Sequence, residues 1–198
     1  MMDQVLKFLA NQLDSYLQRQ QSNNSRNVVL GNVSLIGSNE ENGNLNNQVI
    51  ISLVNVEEDR ISRPVNNYVK VAQQNIPQVI YKNPPVFLNL DILFTAYYSD
   101  YQSSLLFLSY IIKFFQYQNV FTTLNAPDLP QQIDEVIFDL KTLSLQDLNN
   151  LWGILGSKYI PSVMYKVRLV AISDDFAEGD AKLVNEISIT DKTMIGYD

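Results

Sequence analysis

A chain of 198 residues with no Cys, no His and a formal net charge of −7 cannot build disulfides, thiolate nucleophiles, imidazole-based triads or most zinc sites. Its 14 Lys and Arg against 21 Asp and Glu are scattered without a basic cluster, which argues against a nucleic-acid groove, because phosphate binding is driven by clustered cations. The hydrophobic share of 46% with 18% charged residues is that of a globular protein able to bury one core.

The chain starts MMDQVLKFLANQLDSYL. An early Asp and interrupted apolar positions do not make a secretion signal, and the most apolar run, Leu105 to Phe115, carries Ser109 and Lys113 and is too short to span a bilayer. A protein assembled in the cytoplasm, without membrane insertion, is the expectation. Met2, Leu6, Leu9, Leu13 and Leu17 lie at helical spacing, so residues 2–20 form an amphipathic helix, with Asp3 and Arg19 suited to its two ends. Asn27 to Ile36 is predicted as a strand broken at Gly31, and residues 37–48, GSNEENGNLNNQ, as an exposed loop. Val49 to Val56 carries apolar side chains at successive positions, the pattern of a central strand covered on both faces.

Glu57, Glu58, Asp59 and Arg60 follow. Successive loop carboxylates do not specify the separation that hydrolytic pairs need, so a solvated loop with a strand-end ion pair is the preferred assignment. Val69 to Ala72 is predicted as a short strand. After Pro84 and Pro85, the residues Val86, Leu88, Leu90, Ile92 and Phe94 face one way, while Asn89 and Asp91 interrupt the other face. Asp100 to Gln116 has apolar residues well past a single stripe, so it should be covered on more than one side, by the first helix or by a neighbouring subunit. Asn125 to Gln132 is a loop, and Val136, Phe138 and Leu140 alternate with Glu135, Asp139 and Lys141 in a half-buried strand.

The stretch LSLQDLNNLWGILGSKYIPSVMYKVRLVAI, residues 143–172, carries the clearest local signals. Ser144 caps a helix whose apolar face holds Leu145, Leu148, Leu151, Trp152 and Leu155. Gly156 ends that helix and Pro161 prevents its return. In the strand that follows, Tyr165 and Val167 face the core while Lys166 and Arg168 face the other way. If this strand lies beside the one with Asp91, Asp91 and Lys166 share a face where cross-strand ion pairs form. Beyond Ile172, the acidic run Asp174, Asp175, Glu178 and Asp180 lacks the spacing of a calcium loop, and Leu183 to Thr190 is predicted as a late strand.

Four blocks in order, ISLVNVEEDR (residues 51–60), PPVFLNLDILFTAYYSDY (84–101), LSYIIKFFQ (108–116) and SLQDLNNLWGILGSKYIPSVMYKVRLV (144–170), resemble the N-terminal domain of the cap, or tail-terminator, proteins of extracellular contractile injection systems of the antifeeding-prophage type. The resemblance implies an α/β fold in one domain over residues 1–198, a mixed β-sheet flanked by helices as in phage tail terminators, with the loop 37–48 and a C-terminal extension 174–198 as additions. It implies a structural cap, in a ring of six identical subunits, that closes the sheath and inner tube at the distal end of a phage tail-like particle. The implied partners are the sheath protein and the inner-tube protein. No enzymatic activity, cofactor or metal is implied. Sheath holding through an added strand places the partner-binding residues at Leu183, Ile187 and Ile189.

Two other classes compete with the cap. A small carboxylate-dependent hydrolase would bring Glu57, Glu58 or Asp59 against Asp174 or Asp175 in a concave pocket. A monomeric carbohydrate-binding module would present Tyr97, Tyr98, Tyr101 and Tyr117 on its surface.

Overall fold

A computed structural model describes residues 2–22, 25–36, 45–59, 68–73, 76–82, 86–130, 133, 135–172 and 177–181, with only the backbone described for 68–82 and 169–181. The chain divides into two compact units, residues 1–62 with 86–172, and residues 63–85 with 173–198.

The larger unit is a six-stranded sheet in the order β1-β2-β5-β8-β7-β6. Its strands are β1 (Val28–Leu30), β2 (Gln48–Glu58), β5 (Val86–Tyr97), β6 (Val120–Thr122), β7 (Glu135–Lys141) and β8 (Ser162–Ile172). β1 runs parallel to β2 and every other pairing is antiparallel, so the predicted mixed sheet flanked by helices is what the chain forms. The smaller unit contains the antiparallel sheet β3-β4-β9, from β3 (Tyr68–Gln73), β4 (Ile76–Lys82) and β9 (Ala177–Ala181).

Helices α1 (Met2–Gln21) and α2 (Tyr101–Tyr117) cover one face of the larger sheet, and α3 (Leu145–Leu155) covers part of the other. Leu90, Ile92, Phe94 and Ala96 of β5 turn to α1 and α2, while Leu93 turns to α3. This split follows from the period-two alternation of a strand. Aromatic rings fill the α1/α2 side: Phe94 meets Phe115 and Tyr165 edge-on at 5.3 and 5.6 Å, and Phe121 meets Phe8 at 5.6 Å. Such edge-to-face pairs add stabilisation beyond the area they bury.

α1 buries Val5 and Phe8 together with Leu9, Leu13 and Leu17, and leaves Met2 and Leu6 half-buried. The apolar stripe is therefore rotated toward Phe8, because Phe121 and Phe114 wait on that side. Asp14 secures the helix to the sheet, its Oδ1 accepting from the Asn27 and Val28 N–H groups at 2.7 and 3.1 Å. On α2, Asp100 caps the first turn by accepting from the Ser103 and Gln102 N–H groups at 2.9 and 3.4 Å, and the Ser103 contacts hold its carboxyl below the usual range. α1 covers one flank of α2, with Tyr16 against Phe114 at 5.3 Å. Leu105, Leu106 and Ile112 stay exposed on the other.

The α3–β8 unit forms as its local signals specify. Ser144 Oγ accepts from the Asp147 N–H at 3.1 Å and donates to the Asp147 carboxylate at 2.7 Å, and Gly156 closes the helix in the left-handed conformation at φ 62°. Ser144→Ala should cost about 1 kcal/mol, measurable as a lower midpoint in urea unfolding with an unchanged slope. A shift indistinguishable from zero would mean that Asp147 and water satisfy the first turn without the hydroxyl.

Several expectations need correction. β2 is second from the edge, buried over Val49–Ser52 and exposed at Leu53 and from Asn55 to Glu58, so it is half a central strand, since nothing described covers its far end. Glu57 and Glu58 belong to β2 rather than to a loop, held by pairing with Asn89 and Leu88 of β5, while Arg60 lies outside the described residues. The segment from Asn27 to Ile36 pairs only over β1 and then turns through a short 3-10 helix at Val33–Leu35, with Asn32 accepting from the Ser34 N–H at 3.0 Å. The acidic run after Ile172 contains β9. Most of the loop 37–48, and all of Leu183 to Thr190, lie outside the described residues.

Candidate functional site

On the α3 side, four adjacent strands place polar side chains in one stripe: Asn55 and Glu57 of β2, Asn89 and Asp91 of β5, Lys166 and Arg168 of β8, and Asp139 and Lys141 of β7. Asp91 and Lys166 are register partners, as expected from the sequence. Two of the ion pairs, however, skip a strand. Lys141 Nζ reaches Asp91 Oδ2 at 2.8 Å, and Lys166 Nζ reaches Glu57 Oε2 at 3.0 Å. Arg168 pairs with Asp139. Asn55 Nδ2 donates to both Asp91 Oδ2 at 3.3 Å and Glu57 Oε1 at 3.2 Å. Long side chains lying flat across a sheet span one intervening strand, which a nearest-neighbour argument misses.

Asp91 is the buried member, 4% exposed, and its Oδ1 and the Asn89 Oδ1 have no hydrogen-bond partner among the described residues. Burial of an ionised group is costly unless it is paired, so Lys141 and Asn55 are what make Asp91 tolerable at that position.

Above the stripe, α3 and the sheet enclose two clefts. One of about 640 Å³ is lined by Gly31, Asn32, Ser34, Ser52, Leu53, Val54, Asn55, Leu151, Ile154 and Leu155. The other, of about 550 Å³, is lined by Val54, Asn55, Asp91, Lys141, Thr142, Leu143, Asp147, Asn150, Leu151, Ile154 and Met164. They share Val54, Asn55, Leu151 and Ile154 and so form one continuous groove, apolar along the β2 edge and charged toward β7. Sequence reasoning missed this groove. Its signal in the sequence was Ile154, an apolar residue outside the stripe of Leu145, Leu148, Leu151, Trp152 and Leu155; in the structure it is 85% accessible at the groove.

Glu57 is neutralised by Lys166, Asp174 and Asp175 lie outside the described residues, and no group of three or more metal-ligating side chains is found among the described residues. Nor do the tyrosines converge. Tyr98 stacks on Phe107 at 4.2 Å and Tyr97 packs beneath α3, while Tyr101 and Tyr117 stand at opposite ends of the 17-residue helix α2, roughly 25 Å apart at the helical rise. Burial, with a smaller contribution from the Asp14 carboxylate, pushes the Tyr98 phenol well above its ordinary range, and burial pushes Tyr165 up to about 12. Both are core residues. Among the described residues, no helix is long and apolar enough to cross a membrane.

The candidate partner residues Leu183, Ile187 and Ile189 lie outside the described residues.

Residues 4–186 match the model of the family described as the Pvc16 N-terminal domain. Among curated proteins no match is found. Among solved structures, the chain is similar to the sheath/tube terminator of PVC, an extracellular contractile injection system, in its extended state, with a TM-score of 0.65, 18% identity, and coverage of 100% of this chain and 65% of that one. It is also similar to the tube-terminating cap of the anti-feeding prophage, with a TM-score of 0.52, 18% identity, and coverage of 72% of this chain and 49% of that one. The chain thus spans less than two thirds of the length of either terminator.

Proposed function

The chain belongs to the Pvc16 N-terminal domain family, and from this membership we propose that it is a structural cap closing the distal end of the sheath and inner tube of a contractile injection particle. The observation that carries the proposal is the match over residues 4–186, supported by a likeness to the sheath/tube terminator that takes in the whole chain.

The cap acts as a ring of six identical subunits, assembled in the cytoplasm on the last layer of sheath and tube. A closed ring needs two different patches on each subunit, since its contacts are head-to-tail. Two such patches support the reading: Leu105, Leu106 and Ile112 on α2, and Leu145 and Ile154 on α3, all exposed and on opposite faces of the sheet. The protein works by binding and performs no catalysis. Residues 1–198 act as one tail-terminator-like module, with the segment 174–198 as its sheath-contacting extension. Within that segment, Leu183, Ile187 and Ile189 supply the sheet edge to which a sheath strand adds.

Electron microscopy of particle ends tests both levels. Particles made without the protein should lack the terminal density and vary in length; unchanged ends would refute capping. Deleting residues 183–198 should leave a folded chain that no longer stays on particles, whereas retained caps and normal lengths would remove the extension from the contact.

A further inference from the structure

The outer faces of α2 and α3 carry a single charge each. Lys113 is the one charged residue of Tyr101–Tyr117, and Asp147 the one charged residue of Leu145–Leu155. On α2, Leu106 and Lys113 stand seven positions apart, which puts them on nearly one line of the helix surface, about 10 Å from each other. On α3, Asp147 and Ile154 have the same spacing with charge and apolar chain in the reverse order. All four are exposed. Among the described residues neither charge is neutralised: Lys113 lies 5.9 Å from the Tyr110 ring, and the Asp147 carboxylate accepts from the uncharged Ser144 hydroxyl. Beside each line the surface is low. Ser109 turns its hydroxyl back to the Leu105 carbonyl at 2.8 Å, and a Cβ added at Gly153 would meet nothing within 4 Å. A glycine inside a helix is destabilising, and no close contact within the described residues accounts for this one.

We propose that α2 of one copy packs antiparallel on α3 of the next copy, Leu106 on Ile154 and Lys113 on Asp147. This rests on the ring proposed above and adds the two mating helices, their direction and their register. Only the antiparallel direction makes both pairs at once; a parallel one sets Leu106 beside Asp147 and Lys113 beside Ile154. It also sets the two helix dipoles against each other. In that orientation Leu105, the neighbour of Leu106, comes over Gly153, whose missing side chain lets the helices approach. Pairing like with like is disfavoured by the same spacing. Antiparallel α2 on α2 would oppose Lys113 to Leu106, and α3 on α3 would oppose Asp147 to Ile154, in each case a charge desolvated by an apolar chain. Complementary charges therefore select the head-to-tail contact, the kind that a ring of more than two subunits requires.

The chain contains no Cys, so introduced thiols report contacts without background. In isolated particles, the full chain carrying Leu106→Cys with Ile154→Cys should give, with a short thiol-reactive cross-linker, a ladder of covalent species extending past the dimer. Lys113→Cys with Asp147→Cys should give a second ladder. Each single variant should give none, and neither should the mismatched pair Lys113→Cys with Ile154→Cys, which the proposed register holds about 10 Å apart. In the Leu106→Cys, Ile154→Cys background, Lys113→Glu or Asp147→Lys alone should slow cross-linking about tenfold, and the two together should restore it. Gly153→Ala should slow cross-linking as well, yet raise the melting temperature of the dilute chain, because alanine is the better helix former. Absence of both ladders, cross-linking that stops at the dimer or arises in a single variant, charge reversals that do not rescue each other, or unaltered cross-linking in Gly153→Ala would each overturn the proposal. Imaging of particle ends judges capping separately: caps present without cross-links would remove this contact and leave capping standing.

Discussion

Phe94→Ala is expected to destabilise the larger unit by about 3–5 kcal/mol, lowering its melting temperature by about 6–20 °C. The side chain is fully buried at the middle of β5, between Ile51 of β2 and Val163 of β8. It touches the rings of Phe115 and Tyr165, so its removal takes away transfer free energy, two aromatic contacts and the partner surface of α2 together. Relaxation is limited: β5 is paired on both sides and cannot shift into the cavity without breaking register with β2 or β8. Differential scanning calorimetry gives the answer directly. A loss below about 1.5 kcal/mol, the scale of a volume-conserving change, would show that α2 collapses onto the sheet and that the aromatic cluster is less tightly packed than its geometry indicates.

Lys141→Met should cost about 1–3 kcal/mol. Fully buried pairs lose more when one partner is removed, but the Lys141 side chain is 36% exposed while that of Asp91 is 5% exposed, so solvent screens part of the interaction. What remains is the penalty for a carboxylate left under α3 with Asn55 as its one described donor. The sign is best isolated by a cycle: Asp91→Asn combined with Lys141→Met should recover most of the loss, because the uncompensated charge is gone. A single-variant loss under about 0.5 kcal/mol would mean that the groove itself solvates Asp91. A double variant no better than Lys141→Met would place the cost in lost packing of the lysine stem.

The two faces of the larger unit's sheet are buried by different means. The α1/α2 side is aromatic and closed, with Trp152 on the opposite side as the main contribution of α3 to the core. The remainder of the α3 side is polar and grooved. Rigidity on one face holds the geometry of the other.

What the sequence alone determined was local. The cap of α3 is written in Ser144 and Asp147, its end in Gly156, and β8 in the alternation from Val163 to Ile172, because each depends on residues within a few positions of one another. The alternation in β5 and β8 was enough to put Asp91 and Lys166 on one face. The family, too, was legible, since the blocks that carry it are contiguous runs. Segments with short or contradictory signals were not: β6 has three residues, β4 contains Pro77, and β9 sits in an acidic run that resembles a loop. The tertiary structure decided everything that depends on what lies above or beside a strand. It left half of β2 exposed because α3 and β1 cover only its first turns of pleat. It gave Asp91 to Lys141 and Lys166 to Glu57 because extended side chains cross a strand that sequence spacing cannot locate. It also made the groove, which exists only where residues of α3 and of β2, far apart in the chain, line one cleft.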